Sequence, residues 1–304
     1  MLSAGELFCV YLSYGIPSFV IYMLTFFIIF RYRKTFNSSF FQLYLFDGAL
    51  NLLTYFNNYF KTRLPGIACH DCLLGSFYRS IGNTFLMDIF MLMNFHMAYV
   101  QYAVTTLVSL NRLSVIVKYT LVEPIWQKYT WIAILLIFCL PFINTRVVLN
   151  YDSKLEYLPT SDTYSITSEM PINDVFSICI PFMVAFTVIS VVVNIVSVFI
   201  IRNLKTQIKN KAETNFIIIT CITCVVQLCG TSLSFIRVKY AGTPAAVKLA
   251  SFIPFISDGL SLVQPWLLIC ISHVVREKII GLIYPKKQQP HVKSVVIPRS
   301  TTLN

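Results

Sequence analysis

Charge is what this chain has least of. Asp, Glu, Lys and Arg make up 12% of its 304 residues, against about 25% in an ordinary soluble domain. Apolar residues reach 56%, where about 45–50% is usual, and mean hydropathy is +0.69. So little polar surface cannot cover a water-soluble globule of this size, and a soluble enzyme is excluded. Acids are the scarcer sign, 13 against 24 Lys and Arg, for a net charge of +11. In a soluble protein that excess points to nucleic acid. Here the basic residues sit mainly in short loops between apolar runs, so membrane topology explains them and no nucleic-acid partner is expected.

Other absences narrow the function. Four His and a few dispersed acids supply neither a metal cluster nor a pair of catalytic acids, so no metal, cofactor or catalytic residue is expected. The nine Cys form no framework: Cys9, Cys139, Cys179, Cys221, Cys224, Cys229 and Cys270 lie in apolar stretches or at their ends, where Cys behaves as a small hydrophobe. The last apolar run holds no Lys for a retinal Schiff base. No inverted repeat of the kind many transporters use is evident.

Long apolar runs are what the chain does have. A bilayer core of about 30 Å takes about 20 apolar residues as a helix. Seven segments qualify, at about 7–30, 40–60, 82–110, 129–149, 175–201, 214–236 and 249–271. The expectation is an all-α membrane protein, a seven-transmembrane helix bundle. The second segment is the least apolar, since it carries Asp47 and several Asn. The first lacks a basic leader and is longer than a signal-peptide core, so it reads as a retained helix. Sixteen of the 24 Lys and Arg fall in inner segments and seven in outer loops if the N-terminus lies outside, which the positive-inside rule favours. The C-terminus is then cytosolic. The receptor domain is expected over 1–285, with an interfacial helix at 272–284 whose basic residues face anionic lipid. The tail, 286–304, reads as disordered. The polar connection 150–174 is open to a lid, a hairpin or neither.

Acids within spans are costly and normally face the bundle interior. Asp47 shares a helical face with Asn51, four residues on, a pair that suits a cation, a water cluster, a proton or an interhelical anchor. Asp88 lies two turns below the outer end of span three, within reach of a ligand, with His96 two turns deeper and about 80° around the helix. Tyr99 and Tyr102 continue that helix as possible pocket walls. Asp258 lies in span seven, ahead of Gln264-Pro265-Trp266, where proline makes a hinge. Pro17, Pro141, Pro181 and Pro254 are expected to bend spans one, four, five and seven. Asn111 and Arg112 end span three on the cytosolic side, and Arg112 reads equally as a snorkelling cation or a latch between helices. Outside, Cys69-His70-Asp71-Cys72 lacks the partners of a zinc site. An oxidising compartment favours a disulfide, with Cys69, Cys72 and Cys179 as candidates.

These features converge on a known pattern. Tyr14-Gly15-Ile16-Pro17-Ser18 before Tyr22, Ser38-Ser39-Phe40-Phe41, Asn57-Asn58-Tyr59-Phe60 with Arg63-Leu64-Pro65, and Thr106-Leu107-Val108-Ser109-Leu110-Asn111-Arg112 resemble nematode serpentine chemoreceptors. These are G-protein-coupled-receptor-like proteins, and the match is to their gamma superfamily, class V or class gamma. The resemblance covers nearly the whole chain. It implies a receptor for an unidentified small molecule or peptide, in the plasma membrane of sensory neurons and in their cilia, signalling through a heterotrimeric G protein. It places a ligand pocket in the outer halves of the helices, with Asp88, His96, Tyr99 and Asp258 as candidates. Asp47, Asn51, Asn111, Arg112, Gln264 and Pro265 become candidates for the activation switch and G-protein face. Asn111-Arg112-Leu113 departs from the Asp/Glu-Arg-Tyr of the rhodopsin-like class, and Gln264-Pro265 from its Asn-Pro. The alternatives are a small-solute transporter using the three intramembrane acids and a non-signalling membrane scaffold.

Overall fold

A computed structural model describes residues 4–81, 84–159, 162–203, 211–240, 243, 249 and 252–283; the tail 286–304 lies outside them. The chain begins with α1 (Ala4–Arg31) and α2 (Ser39–Asn58). A π-helical turn, Tyr59–Arg63, and a 3-10 turn, Pro65–Ile67, lead to α3 (Leu73–Ile81). Next come α4 (Phe85–Val117), α5 (Tyr119–Cys139) and the short α6 (Phe142–Thr145), which passes into a 3-10 turn, Arg146–Asn150. A hairpin of β1 (Ser153–Leu158) and β2 (Thr163–Ser168) follows. Then α7 (Ile172–Asn203), α8 (Lys211–Lys239), α9 (Ile253–Ile271) and α10 (His273–Ile283) complete the order.

Six helical stretches among the described residues are long and apolar enough to cross a membrane: Gly5–Arg31, Phe85–Val117, Tyr119–Asn150, Val175–Asn203, Asn215–Ile236 and Ile253–Ile271. The expected second span is a helix, α2, without that apolarity. Its polar residues explain the difference. Asp47, Asn51, Thr54 and Asn57 are all buried and find partners inside the bundle, so α2 draws on neighbouring helices rather than on lipid.

Helix α4 runs through the middle, packing on α2, α5, α7 and α8. It extends two turns beyond the expected end at 110, because Arg112 is only 1% exposed and does not mark a membrane boundary. Helix α5 starts ten residues before the expected 129. Its first turns carry Glu123, Gln127 and Lys128, which suggest a loop in sequence, yet Glu123 is buried against the start of α2. Pro254 is no bend within a span, since α9 begins at Ile253 and proline is tolerated in a first turn. Pro17, Pro181 and Pro265 lie inside helices, and Pro141 falls at the break between α5 and α6.

One end of the bundle is closed by the hairpin, whose register runs from Ser153↔Ser168 to Leu158↔Thr163. Tyr164 and Ile166 turn inward on Tyr78, Met87, Met91 and Met170. At its turn Asp162 has φ 48°, a left-handed conformation that Asp tolerates better than most residues. Asp162 Oδ1 accepts from the His70 amide at 3.0 Å and the Tyr157 hydroxyl at 2.8 Å. Those bonds hold its carboxyl below the usual carboxylate range, the His70 amide being the larger cause. The opposite half is filled by apolar side chains, among them Ile28, Phe36, Phe40, Leu43, Val104, Phe216 and Leu268. At that far end Arg276 caps α9 through the carbonyls of Ile269 and Cys270.

A candidate ligand cavity and a polar relay

In the hairpin half, α2, α4, α7, α8 and α9 line a partly open cavity of about 180 Å³. An apolar cavity of about 150 Å³ is enough to bind benzene, so a small ring fits here. Asn58, Asn94, Phe95, Gln101, Tyr102, Phe176, Met183 and Ser257 stand among its walls, and among the described residues no Asp, Glu, Lys, Arg or His lines it. Asn58 Nδ2 donates to Ser257 Oγ at 2.9 Å, tying α2 to α9 at the rim. Gly230 leaves room for the Tyr102 hydroxyl, which donates to the Gln227 carbonyl at 3.3 Å: a Cβ there would stand 2.7 Å from the tyrosine oxygen.

Gln101 belongs to two systems. It lines the cavity, and its Nε2 donates to Asn51 Oδ1 at 2.7 Å and to Ser261 Oγ at 3.1 Å. Asn51 Nδ2 in turn donates to Asp47 Oδ1 at 3.2 Å, and Gln264 Nε2 donates to Asp47 Oδ2. The Tyr22 hydroxyl completes the ring by donating to the Ser261 carbonyl at 2.6 Å. Helices α1, α2, α4 and α9 thus meet through one buried relay. The structure brings together Asp47, Asn51 and Gln264, with Pro265 next in chain.

The far end holds a second polar chain. Arg112 donates from Nε and Nη2 to Asn111 Oδ1 at 3.1 and 2.8 Å. Asn111 Nδ2 donates to Ser39 Oγ at 2.8 Å, and Ser39 donates from its amide and hydroxyl to the two Glu123 oxygens, each at 2.7 Å. The guanidinium is covered by Phe40, at 4.5 Å, and by Phe216 of α8, at 5.3 Å. It is sealed inside rather than snorkelling. Nearby, Asn194 ties α7 to Ser109 of α4 at 3.0 Å and accepts from Thr220 of α8 at 2.8 Å.

The four expected pocket residues do not line the cavity. Asp88 is in the first turn of α4 rather than two turns down, and its Oδ1 accepts from the Ser153 amide at 2.7 Å, anchoring the hairpin. His96 points to the other side of α4, stacked on Phe142 at 3.9 Å with Nδ1 3.2 Å from Thr145 Oγ1. Tyr99 packs on Phe182 at 4.8 Å. Asp258 follows the wall residue Ser257 but turns away, pairing with Arg63 and the Tyr14 hydroxyl. Cys69, Cys72 and Cys179 are free thiols. Cys179 is buried beside Met183, and Cys69 and Cys72 lie next to each other before α3. There the Cys69 thiol and then the backbone amides at the start of α3 hold the Cys72 thiol below its usual value.

Sequence reasoning missed Asn94, Gln101, Ser257 and Glu123. Asn94, Ala98 and Gln101 recur at four and three residues along one face of an apolar helix, a signal that was available. Glu123 gave none, because its partner Ser39 is 84 residues away.

A bundle of membrane-length helices around a partly open cavity is that of a multi-pass membrane protein. Residues 8–279 match the sequence model of the Srg family chemoreceptors. The chain is also 29% identical over 300 residues to serpentine receptor class gamma-31 of Caenorhabditis elegans, covering 95% of this chain and 93% of that protein. This chain belongs to the Srg family of chemoreceptors. Of the two classes the motifs left open, both comparisons agree with class gamma, whose members are signalling receptors rather than enzymes. Among the described residues no group of three His, Cys, Asp or Glu is placed to hold a metal.

Proposed function

We propose that this protein is a G-protein-coupled chemosensory receptor with seven membrane helices, α2 being the seventh, polar one. The receptor domain spans 1–285 and is followed by a cytosolic tail, 286–304. The hairpin end faces outside and the Arg112 end faces the cytosol, in the plasma membrane and its ciliary extension. The ligand is a small uncharged molecule bound in the cavity, whose walls offer amide and hydroxyl groups but no charge to neutralise one.

The observation that carries this reading is the double membership of Gln101. A ligand hydrogen-bonded to Gln101 redirects its bonds to Asn51 and Ser261 and so reaches Asp47 and Gln264. Gln264 precedes Pro265, where α9 lacks a backbone hydrogen bond and bends at low cost. A shift there, passed to α8, lifts Phe216 from Arg112 and opens a surface for the G protein, completed by segment 202–213. Each neutral hydrogen bond is worth about 1 kcal/mol, while moving an equilibrium from 1:99 to 99:1 takes about 5.5 kcal/mol. The ligand must therefore also draw on contact with the apolar walls.

Guanine-nucleotide exchange on reconstituted heterotrimeric G proteins tests the cytosolic half without a known ligand. Phe216→Ala uncovers Arg112 and is expected to raise basal exchange severalfold, and adding Arg112→Ala is expected to remove the gain. Basal exchange unchanged in Phe216→Ala across the G-protein subtypes would overturn the role given to Arg112.

A further inference from the structure

A buried ion pair among tyrosines lies outside the cavity, between α1, the end of α2 and α9. The π-helical turn Tyr59–Arg63 directs Arg63 inward until it is only 5% exposed. Its guanidinium carbon lies 4.4 Å from the ring centre of Tyr11, 4.5 Å from Tyr59 and 5.2 Å from Tyr55. One nitrogen, Nη2, pairs with Asp258, whose other carboxylate oxygen accepts from the Tyr14 hydroxyl. Asp258 is 4% exposed. Three tyrosine rings and one carboxylate thus surround one cation, and a fourth tyrosine, Tyr14, holds the carboxylate.

The occupant fits this box poorly. An arginine carries five N–H donors in a planar fork, and three of them sit on Nε and Nη1, which are buried with no hydrogen-bond partner among the described residues. Leaving a buried donor unmatched costs about 1–3 kcal/mol. The walls present π-faces where a guanidinium needs acceptors. A tetra-alkylated ammonium has no N–H to satisfy and takes its stabilisation from aromatic faces and a carboxylate, the chemistry by which aromatic cages bind quaternary ammonium groups. We propose that the Tyr11–Tyr14–Tyr55–Tyr59–Asp258 box is a binding site for a small quaternary ammonium ligand, held shut by Arg63 as a tethered competitor. Arg63 ends the π turn just before the 3-10 turn Pro65–Ile67, and ligand entry requires its side chain to leave the box.

The test uses the full chain in nanodiscs, with tetramethylammonium chloride as the probe and sodium chloride at equal ionic strength as the control. The unfolding midpoint is read against concentration. Tetramethylammonium is expected to raise the midpoint of the unmodified chain above the sodium control. In Arg63→Ala the half-maximal concentration is expected to fall at least tenfold, and Asp258→Asn is expected to abolish the effect in both backgrounds. Should Arg63→Ala be recovered unfolded, preparation in tetramethylammonium is expected to yield folded protein where sodium does not. Equal responses to the two salts in Arg63→Ala would overturn the proposal, and so would an unfolded yield in both. A shift that survives Asp258→Asn would also overturn it, since the ion would then bind elsewhere. The readout involves no G protein, so its failure leaves the signalling reading intact, and the reverse.

Discussion

The two halves of the bundle bury polar groups in different ways. In the hairpin half the helices stand around a cavity, hydrogen bonds span its rim, and Arg63 keeps buried donors without partners. In the far half apolar side chains close over a single cation, and Arg112, Asn111, Ser39 and Glu123 pass hydrogen bonds in sequence from α4 to α5. The same chemistry, an arginine among aromatic rings, is loosely matched at one end and fully engaged at the other. On the function proposed above, the loosely matched region takes the ligand and the sealed one holds the signal surface in reserve.

Removing the carboxylate that holds the hairpin half together is the severest way to probe this contrast. Asp258→Ala strands Arg63 as an unpaired buried cation, and breaking a buried pair costs about 3–5 kcal/mol. A large drop in the unfolding midpoint of detergent-purified protein is the expected outcome, and an unchanged midpoint would mean that Arg63 escapes to solvent freely.

A pair of glycine replacements sharpens the comparison. A Cβ at Gly48 would stand 2.7 Å from the Phe26 ring and 3.0 Å from Tyr22, which is fully buried. Gly48→Ala is expected to cost about 1–3 kcal/mol, the usual effect of overpacking. At Gly230 the nearest atom is the Tyr102 oxygen, which can yield into the cavity, and alanine also improves helix propensity by up to about 1 kcal/mol. Gly230→Ala is expected to leave stability nearly unchanged. Equal losses at both sites, measured by thermal unfolding, would erase the distinction between a loose and a tight half.

The smallest effect concerns the hairpin. Asp162 has its carboxyl lowered by the His70 amide and the Tyr157 hydroxyl, so its bonds stabilise the fold fully above the unfolded value of about 3.9. That contribution is lost as pH falls through the lower folded value. Hydrogen exchange at the His70 amide, corrected for intrinsic rate, is expected to speed up below about pH 4 in the native chain. Asp162→Asn is expected to remove that pH step.

Much of the architecture was legible because hydropathy reports the solvent directly. Six of the expected spans coincide with apolar helices to within a turn or a few. The second is a helix but not one of the six, and the four-residue spacing of Asp47 and Asn51 places both on one buried face, while its dependence on Gln101 and Gln264 is not legible in sequence. The candidate pocket residues and the cavity walls differ for a physical reason. Charged and titratable residues stand out in an apolar sequence, and here Asp88, His96 and Asp258 are taken up by the hairpin, by Phe142 and by Arg63. The cavity walls are neutral residues whose exposure depends on which helices meet. Arg112 was recognised as special, yet its burial under Phe216 comes from a helix about a hundred residues on, beyond what local sequence encodes.

The central claim is that the loose half faces outside and the sealed half faces the cytosol. Epitope tags at the two termini, probed with antibody in intact and then permeabilised cells, test it directly. The account predicts an N-terminal tag reached in intact cells and a C-terminal tag reached only after permeabilisation, as seven spans with α2 among them require. Both tags on the same side would mean an even number of spans and would contradict the account.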